Sequence, residues 1–211
     1  VRSPQLNPDD LARALGVADP RLRPSEDLAC ALRTLESFDA RDEQQAEFKR
    51  RMLAFIARHP GDAHRRTTLE GHLTASALIV DEDFTRALLT HHRKLGKWLQ
   101  LGGHCDGDAN LAHVALRECV EESGIEGLRI RVEPIDLDIH PIPARPGEPE
   151  HLHYDTRFVV VAPRGARFAV SEESHALEWI APGDLGRCTT DESVRRLYER
   201  VFGRVFGALE R

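Results

Sequence analysis

One segment limits what this chain can fold into more than any other: GGHCDGDANLAHVALRECVEESGI, Gly102 to Ile125. A helix advancing about 100° per residue, running from about Asn110 to Ser123 and stopped by Gly124, turns Ala112, Ala115, Leu116 and Cys119 toward a core. Glu118, Glu121 and Glu122 then converge along one edge of the same helix. Like charges three and four residues apart repel, so that edge needs compensation. The Gly102-Gly103 turn brings backbone close to the helix with no side chains in the way. Oxygen-rich clusters of this kind suit Mg²⁺ or Mn²⁺. From geometry alone, a divalent-metal site and a solvated edge are both open.

The rest of the chain reads in two parts. Residues 1–62 are punctuated by Pro4, Pro8, Pro20 and Pro24 and read as a helical extension. NPDDLARALG predicts a short helix, with Asn7 as cap, Pro8 at its first position and Gly16 at its end. SEDLACALRTLESF predicts a second helix capped by Ser25. In RDEQQAEFKRRMLAFIARHPG, Phe48, Met52, Phe55 and Ile56 form a helical stripe that Pro60-Gly61 ends. Residues 63–211 read as a mixed α/β domain. HLTASALIVD and RALLTHH, separated by EDFT, have the pattern of a hairpin. KWLQL, stretches near 128–139 and 152–162, and EWIA are further strands, with HPIPARPGEPE as a Pro-rich loop. A closing helix carries Val194, Leu197, Val201 and Val205 on one stripe. Mixed strands flanked by helices predict an α/β/α sandwich.

Composition narrows the function classes. A net charge of −6 argues against broad capture of nucleic acid, which needs clustered Lys and Arg. No apolar run approaches the roughly 20 residues that span a bilayer, and VRSPQLNPDD has no apolar core of a secretory signal. Cys30, Cys105, Cys119 and Cys188 form no Cys-x-x-Cys pair, which speaks against a cysteine zinc site and for a reduced, cytoplasmic protein.

The spelling of the decisive segment adds to this. Gly103, followed by Arg117-Glu118-Cys119-Val120-Glu121-Glu122-Ser123-Gly124-Ile125, resembles the Nudix box over 23 residues at the right spacing. A looser resemblance spans residues 69–185 and ends on SEESHALEWIAPGDL, while the first 62 residues lie outside it. The resemblance implies the same α/β/α sandwich, with the box as loop–helix–loop. One position departs: the pattern's first Glu falls at Ala109. Family members use that Glu near the box arginine, so Arg117 is expected to pair instead with Asp106 or Asp108. Either the site survives with altered surroundings, or the box folds and turns over poorly. A large gain of turnover in Ala109→Glu would mark the second case.

The resemblance further implies Mg²⁺- or Mn²⁺-dependent cleavage of a phosphoanhydride in a nucleoside diphosphate linked to another group. It makes Glu118 and Glu122 metal ligands, joined by Glu121 and the Gly102 carbonyl, with Arg117 orienting the glutamates. The base is Glu121 or Glu122, or a later-loop carboxylate, Glu172 or Glu173, whose plain reading is a solvated turn. HHRKLGKW sets His91, His92, Arg93, Lys94 and Lys97 just before the box, as a surface turn or a phosphate contact. His151, His153 and Asp155 share one face of a strand. They read as substrate contacts, as hydrogen-bonded structural residues, or as part of a non-haem iron site that would need a distal histidine. The expected partner is a small nucleotide-like molecule, with no membrane and no extended nucleic acid, and a homodimer is allowed. ADP-ribose, dinucleoside polyphosphates, nucleotide sugars and oxidised nucleoside triphosphates all fit. A ligand sensor without turnover is the rival reading.

Overall fold

A computed structural model describes residues 13–145 and 147–203. Strand β2, Gly71–Val80, is buried at all ten positions, so both of its faces must be covered. Alternation along it divides two cores. Leu73, Ala75, Ala77 and Ile79 join the larger cluster, and Leu78 and Val80 join the smaller. Strand β3, Ala87–His92, pairs antiparallel with β2, Ile79 opposite Leu88, which is the hairpin expected across EDFT. Strands β4 (Lys97–Leu99) and β5 (Leu101–His104) divide the KWLQL region. Strands β6 (Arg129–Ile142), β7 (His151–Val161) and β8 (Ser174–Ile180) complete the sheet, together with a two-residue β1 at Leu15–Gly16. The order is β1-β6-β7-β2-β3-β4, with β5 also on β2 and β8 on β3. Only β2 and β7 run parallel among these pairs.

Helices cover both faces, giving the α/β/α sandwich. On the larger core lie α1 (Ala29–Ser37), α2 (Glu43–Arg58) and α3 (Leu111–Ser123). The short α4 (Leu185–Cys188) and α5 (Glu192–Phe202) close the other face through Leu185, Val194, Tyr198 and Val201. Val205 lies outside the described residues. Cys105 and Cys119 are buried, and the four cysteines are free. No helix among the described residues is long and apolar enough to cross a membrane.

The N-terminal stretch differs from the sequence expectation in two places. Leu15–Gly16, expected to end a helix, is a strand paired with Ile130 and Arg129 of β6; positions 7–12 of that expected helix lie outside the described residues. Ser25 does not cap a helix. Its N–H donates to Asp108 Oδ1 at 2.9 Å and its carbonyl accepts from Ala109 N at 2.5 Å, which holds it in the loop, and α1 starts four residues later. Helix α2 forms as expected, capped by Asp42 and burying Met52, Phe55 and Ile56, and Phe55 stacks on Tyr154 of β7 with ring centroids 4.1 Å apart.

Gln45 on α2 shows how closely this extension is tied to the sheet. Strand β1 covers β6 only at its start, so the outer edge of β6 is open further along. There Gln45 Nε2 donates to Leu137 O at 3.0 Å and Leu137 N donates to Gln45 Oε1 at 2.8 Å, so the amide stands in for a missing strand. Gln45→Ala leaves the buried Leu137 N–H without a partner and its carbonyl with only the 3.4 Å contact from Arg196 Nη2, and we expect a loss of about 1–3 kcal/mol in urea unfolding.

Candidate functional site

Helix α3 forms because its ends are capped and one face is apolar. Asn110 Oδ1 accepts from His113 N, and Gly124 adopts φ 64°, the left-handed conformation that favours glycine. Ala112, Ala115, Leu116 and Cys119 are buried as expected. This places Glu118 and Glu122 against the β5 backbone. Gly102 N donates to Glu122 Oε1 at 3.0 Å. A Cβ on Gly102 would fall 2.3 Å from Ser76 Cβ, and one on Gly103 would fall 2.5 Å from Glu118 Oε2. Gly102 is therefore demanded by close approach to fixed atoms, whereas a side chain at position 103 would displace the Glu118 carboxylate. Glu121 is exposed, with its carboxylate 3.9 Å from Arg117 Nε.

Arg117 pairs with neither Asp106 nor Asp108. Its Nη2 donates to His104 O at 2.9 Å and to Glu118 Oε1 at 2.6 Å. The two aspartates are already engaged. Arg66 holds Asp106 through two contacts of 2.6 Å, and Asp108 accepts from His113 Nδ1 at 2.5 Å and from the Ser25 and Asn110 amides. Ala109, where the box pattern has Glu, is fully buried beneath Ser25. Asn110 Nδ2 donates to the Arg21 and Arg23 carbonyls, so the N-terminal segment lies directly on this loop.

Electrostatics mark the two carboxylates. Burial pushes Glu122 up to about 8; the Gly102 amide offsets part of this, while Glu118, Glu173 and Glu121 add to it. Burial also raises Glu118, against the pull of Arg117. Two carboxylates brought this close with one guanidinium are a donor set of hard oxygens with surplus repulsion, which fits a divalent cation such as Mg²⁺ or Mn²⁺.

A cavity of about 340 Å³ opens beside them, with Glu118, Gly102, Lys94, His153, Asp155 and Glu173 among its walls. His91, Arg93, His151 and Glu172 are not among these walls. His91 stacks on Trp98 at 5.2 Å and meets the tilted His175 ring at 5.4 Å, centroid to centroid. Arg93 ties down the turn before β8: its N–H donates to Glu173 O at 2.9 Å and its Nη2 to Ser174 O at 3.1 Å. His151 is buried, donating from Nδ1 to Pro149 O at 2.9 Å. Glu172 is exposed and is not a wall residue.

Asp155 is committed to a buried network. It accepts from Ser76 Oγ at 2.7 Å, Thr74 Oγ1 at 3.1 Å and Arg157 Nε at 2.8 Å. Arg157, itself buried, also donates to Asp138 at 3.0 Å, and Arg196 of α5 binds Asp136 and Asp138. An iron site using the Asp155 carboxylate is therefore not assembled. The distal histidines that such a site lacked do exist: His72 and His104 stand beside His153. Sequence reasoning passed over both, although polar His72, Thr74 and Ser76 alternate within an otherwise apolar strand. Burial, followed by the neighbouring imidazoles, lowers His72 to about 4 and His153 to about 2, so both stay neutral at physiological pH.

The NUDIX domain model matches residues 71–201. An Ap4A hydrolase from C. elegans is similar in structure at 17% identity and TM-score 0.50, covering 61% of this chain and 93% of that one. A NUDIX-family hydrolase from Clostridium perfringens follows at 24% identity and TM-score 0.46, with 60% and 92% covered. A dihydroneopterin triphosphate pyrophosphohydrolase from E. coli shows 20% identity and TM-score 0.48, again with 60% and 92% covered. No curated protein matches the sequence.

Two predictions follow from the box loop and its carboxylates. In Ala109→Glu, a carboxylate is forced into a closed site beneath Ser25. We expect at least about 2 kcal/mol of destabilisation and no gain in turnover, read by thermal unfolding beside the activity assay. The second concerns pH. In the unfolded chain Glu122 titrates near its ordinary 4.5, whereas in the metal-free fold it holds its proton to about 8. Stability of the metal-free protein therefore falls as pH rises from about 4.5 toward about 8. Melting curves across this window should show the fall, Mg²⁺ should reverse it at the upper end, and Glu122→Gln should flatten it.

Proposed function

We propose that this chain, which belongs to the Nudix family, hydrolyses a phosphoanhydride bond in a small nucleotide-like substrate with Mg²⁺ or Mn²⁺ as cofactor. Family membership supports a hydrolase acting on pyrophosphate bonds in general. The observation that carries the finer reading is the pairing of buried Glu122 with half-buried Glu118, set against a glycine backbone beside a polar cavity. Glu118 and Glu122 would hold the cation, helped by the Gly102 carbonyl and, from the exposed side, by Glu121. The ion supplies neutralisation of phosphate charge and an activated water.

The chain's own residues supply the positioning. Arg117 fixes Glu118 and ties it to the β5 carbonyl of His104, while the Gly102 amide fixes Glu122. Lys94 and Arg66 at the cavity wall are cationic donors for phosphate oxygens. Glu173, the carboxylate of the late turn that reaches the cavity, is the better placed loop base of its pair. Its backbone is held by Arg93, which gives that arginine a positioning role in place of substrate contact. His153 offers a neutral imidazole to the substrate side.

The replaced box glutamate at Ala109 favours one rival, a sensor that binds and does not cleave. A panel of ADP-ribose, a dinucleoside polyphosphate, a nucleotide sugar and an oxidised nucleoside triphosphate, assayed with Mg²⁺ and with Mn²⁺ by coupled phosphate release, separates the two. We expect cleavage of at least one, reduced by roughly 10²–10³-fold in Glu122→Gln, since a bound cation supplies several kcal/mol of transition-state stabilisation. Tight binding with no cleavage by the parent protein would establish the sensor instead.

A further inference from the structure

The register of the sheet stacks imidazoles. His140 of β6 is opposite His153 of β7, and His153 is opposite His72 of β2, so three histidines form one row across three strands. His104 of β5 is opposite Thr74, one step along β2 on the same face. The His72, His104 and His153 rings lie within 5.0 Å of one another, centroid to centroid. One nitrogen from each falls within 4.8 Å of the other two.

A row of structural histidines would spend its nitrogens on hydrogen bonds. This one does not. His72 is 3% exposed, yet neither of its ring nitrogens has a partner. The Nε2 atoms of His153 and of adjacent His151 are equally unpartnered. Burying such groups unsatisfied is costly, and the cost recurs at one spot. Nor is this an apolar aromatic cluster, because Arg66, Glu148 and Asp155 share the same cavity.

We propose that His72, His104 and His153 form a second cation site, for a borderline divalent metal of the zinc class, separate from the carboxylate pair. Neutral imidazole is a preferred ligand of Zn²⁺, Ni²⁺, Cu²⁺ and Fe²⁺ and a poor one for Mg²⁺. A tetrahedral ion with bonds of about 2.0 Å sets its ligand nitrogens about 3.4 Å apart, within reach of modest ring rotation from the present spacing. His72 forms the buried floor, and His104 and His153 reach the cavity wall. The fourth position therefore faces the cavity, where water or an anionic ligand oxygen completes the shell. Glu148, another wall residue with its carboxylate 3.7 Å from His151 Nε2, supplies compensating negative charge. The site does not depend on the hydrolase reading.

The test uses the full chain, stripped with chelator, dialysed and loaded with Zn²⁺ or Co²⁺ in excess Mg²⁺, which saturates hard-oxygen sites. We expect about one equivalent of zinc to survive gel filtration. The cobalt form should show the intense visible absorption of a four-coordinate, nitrogen-rich site. His72→Asn and His153→Asn should lose both signals, with folding checked by circular dichroism. Because His72 is buried, the partly exposed His104→Gln serves as the variant least able to act through misfolding. Glu122→Gln should keep both signals. Absence of bound zinc in the parent overturns the site, as does zinc retained by folded His104→Gln and His153→Asn while Glu122→Gln loses it. Hydrolysis of the nucleotide panel with Mg²⁺ alone is a separate readout, so either reading can fail without the other.

Discussion

Arg157 is the interaction on which this architecture turns. Its guanidinium is buried in the central sheet and clamps Asp155 on its own strand and Asp138 on the next, 3.5 Å from Asp136. Asp138 and Asp155 face each other across β6 and β7, an arrangement that would otherwise repel. Arg157 turns the repulsion into a network that Arg196 extends to α5 and that Thr74 and Ser76 extend to the cavity. Removing one partner from such a buried group leaves uncompensated charge, typically about 3–5 kcal/mol. The network also divides one sheet face in two. Beyond Arg157, Val159 and Val161 meet the apolar side of α5; before it, Asp155 and His153 line a polar cavity. A sheet face that begins as a site and ends as a core needs such a boundary.

The N-terminal extension is a second determinant of the site, and its contacts differ from those of a detached cap. Leu22, Leu28, Leu35, Phe38 and Phe55 lie in the same apolar cluster as Leu73, Leu116 and Phe158. Its backbone at Arg21, Arg23 and Ser25 binds the box loop at Asp108, Ala109 and Asn110. The departure at Ala109 has its physical reason here. A segment lying on the loop leaves space for a methyl group and none for a hydrated carboxylate. Asp108, which might have taken over the arginine, is instead the anchor that receives this segment.

Much of the fold was legible because its signals are local. The α3 helix is bounded by Asn110 and Gly124, and the alternation of β2 and the turn at EDFT determine the hairpin. The carboxylate edge was legible for the same reason, since helical periodicity alone brings Glu118 and Glu122 together. What could not be read depends on register between distant strands. The histidine row exists only because β7 lies parallel to β2 with His153 opposite His72, and no spacing within either strand encodes that. Likewise Asp155, which shares a face with His153, gave no sign in the sequence that Arg157 would claim it. Arg93 points the same way: in a basic run it resembles a phosphate ligand, but the neighbouring β8 turn offers carbonyls closer at hand.

The cavity thus collects two donor sets of different chemistry. Glu118 and Glu122 offer anionic oxygens whose mutual repulsion is relieved by a hard cation, and they sit where the helix edge meets the glycine loop. The imidazoles of His72, His104 and His153 offer neutral nitrogens and carry no repulsion to relieve; what they carry is unspent hydrogen-bonding capacity. A hard ion gains little from the second set, because it would exchange hydration oxygens for nitrogen. A borderline ion gains from both sets, and the neutral nitrogens are the ligands it prefers. Sorting by ligand type, rather than by distance, is what would let two cations share one polar cavity without exchanging places.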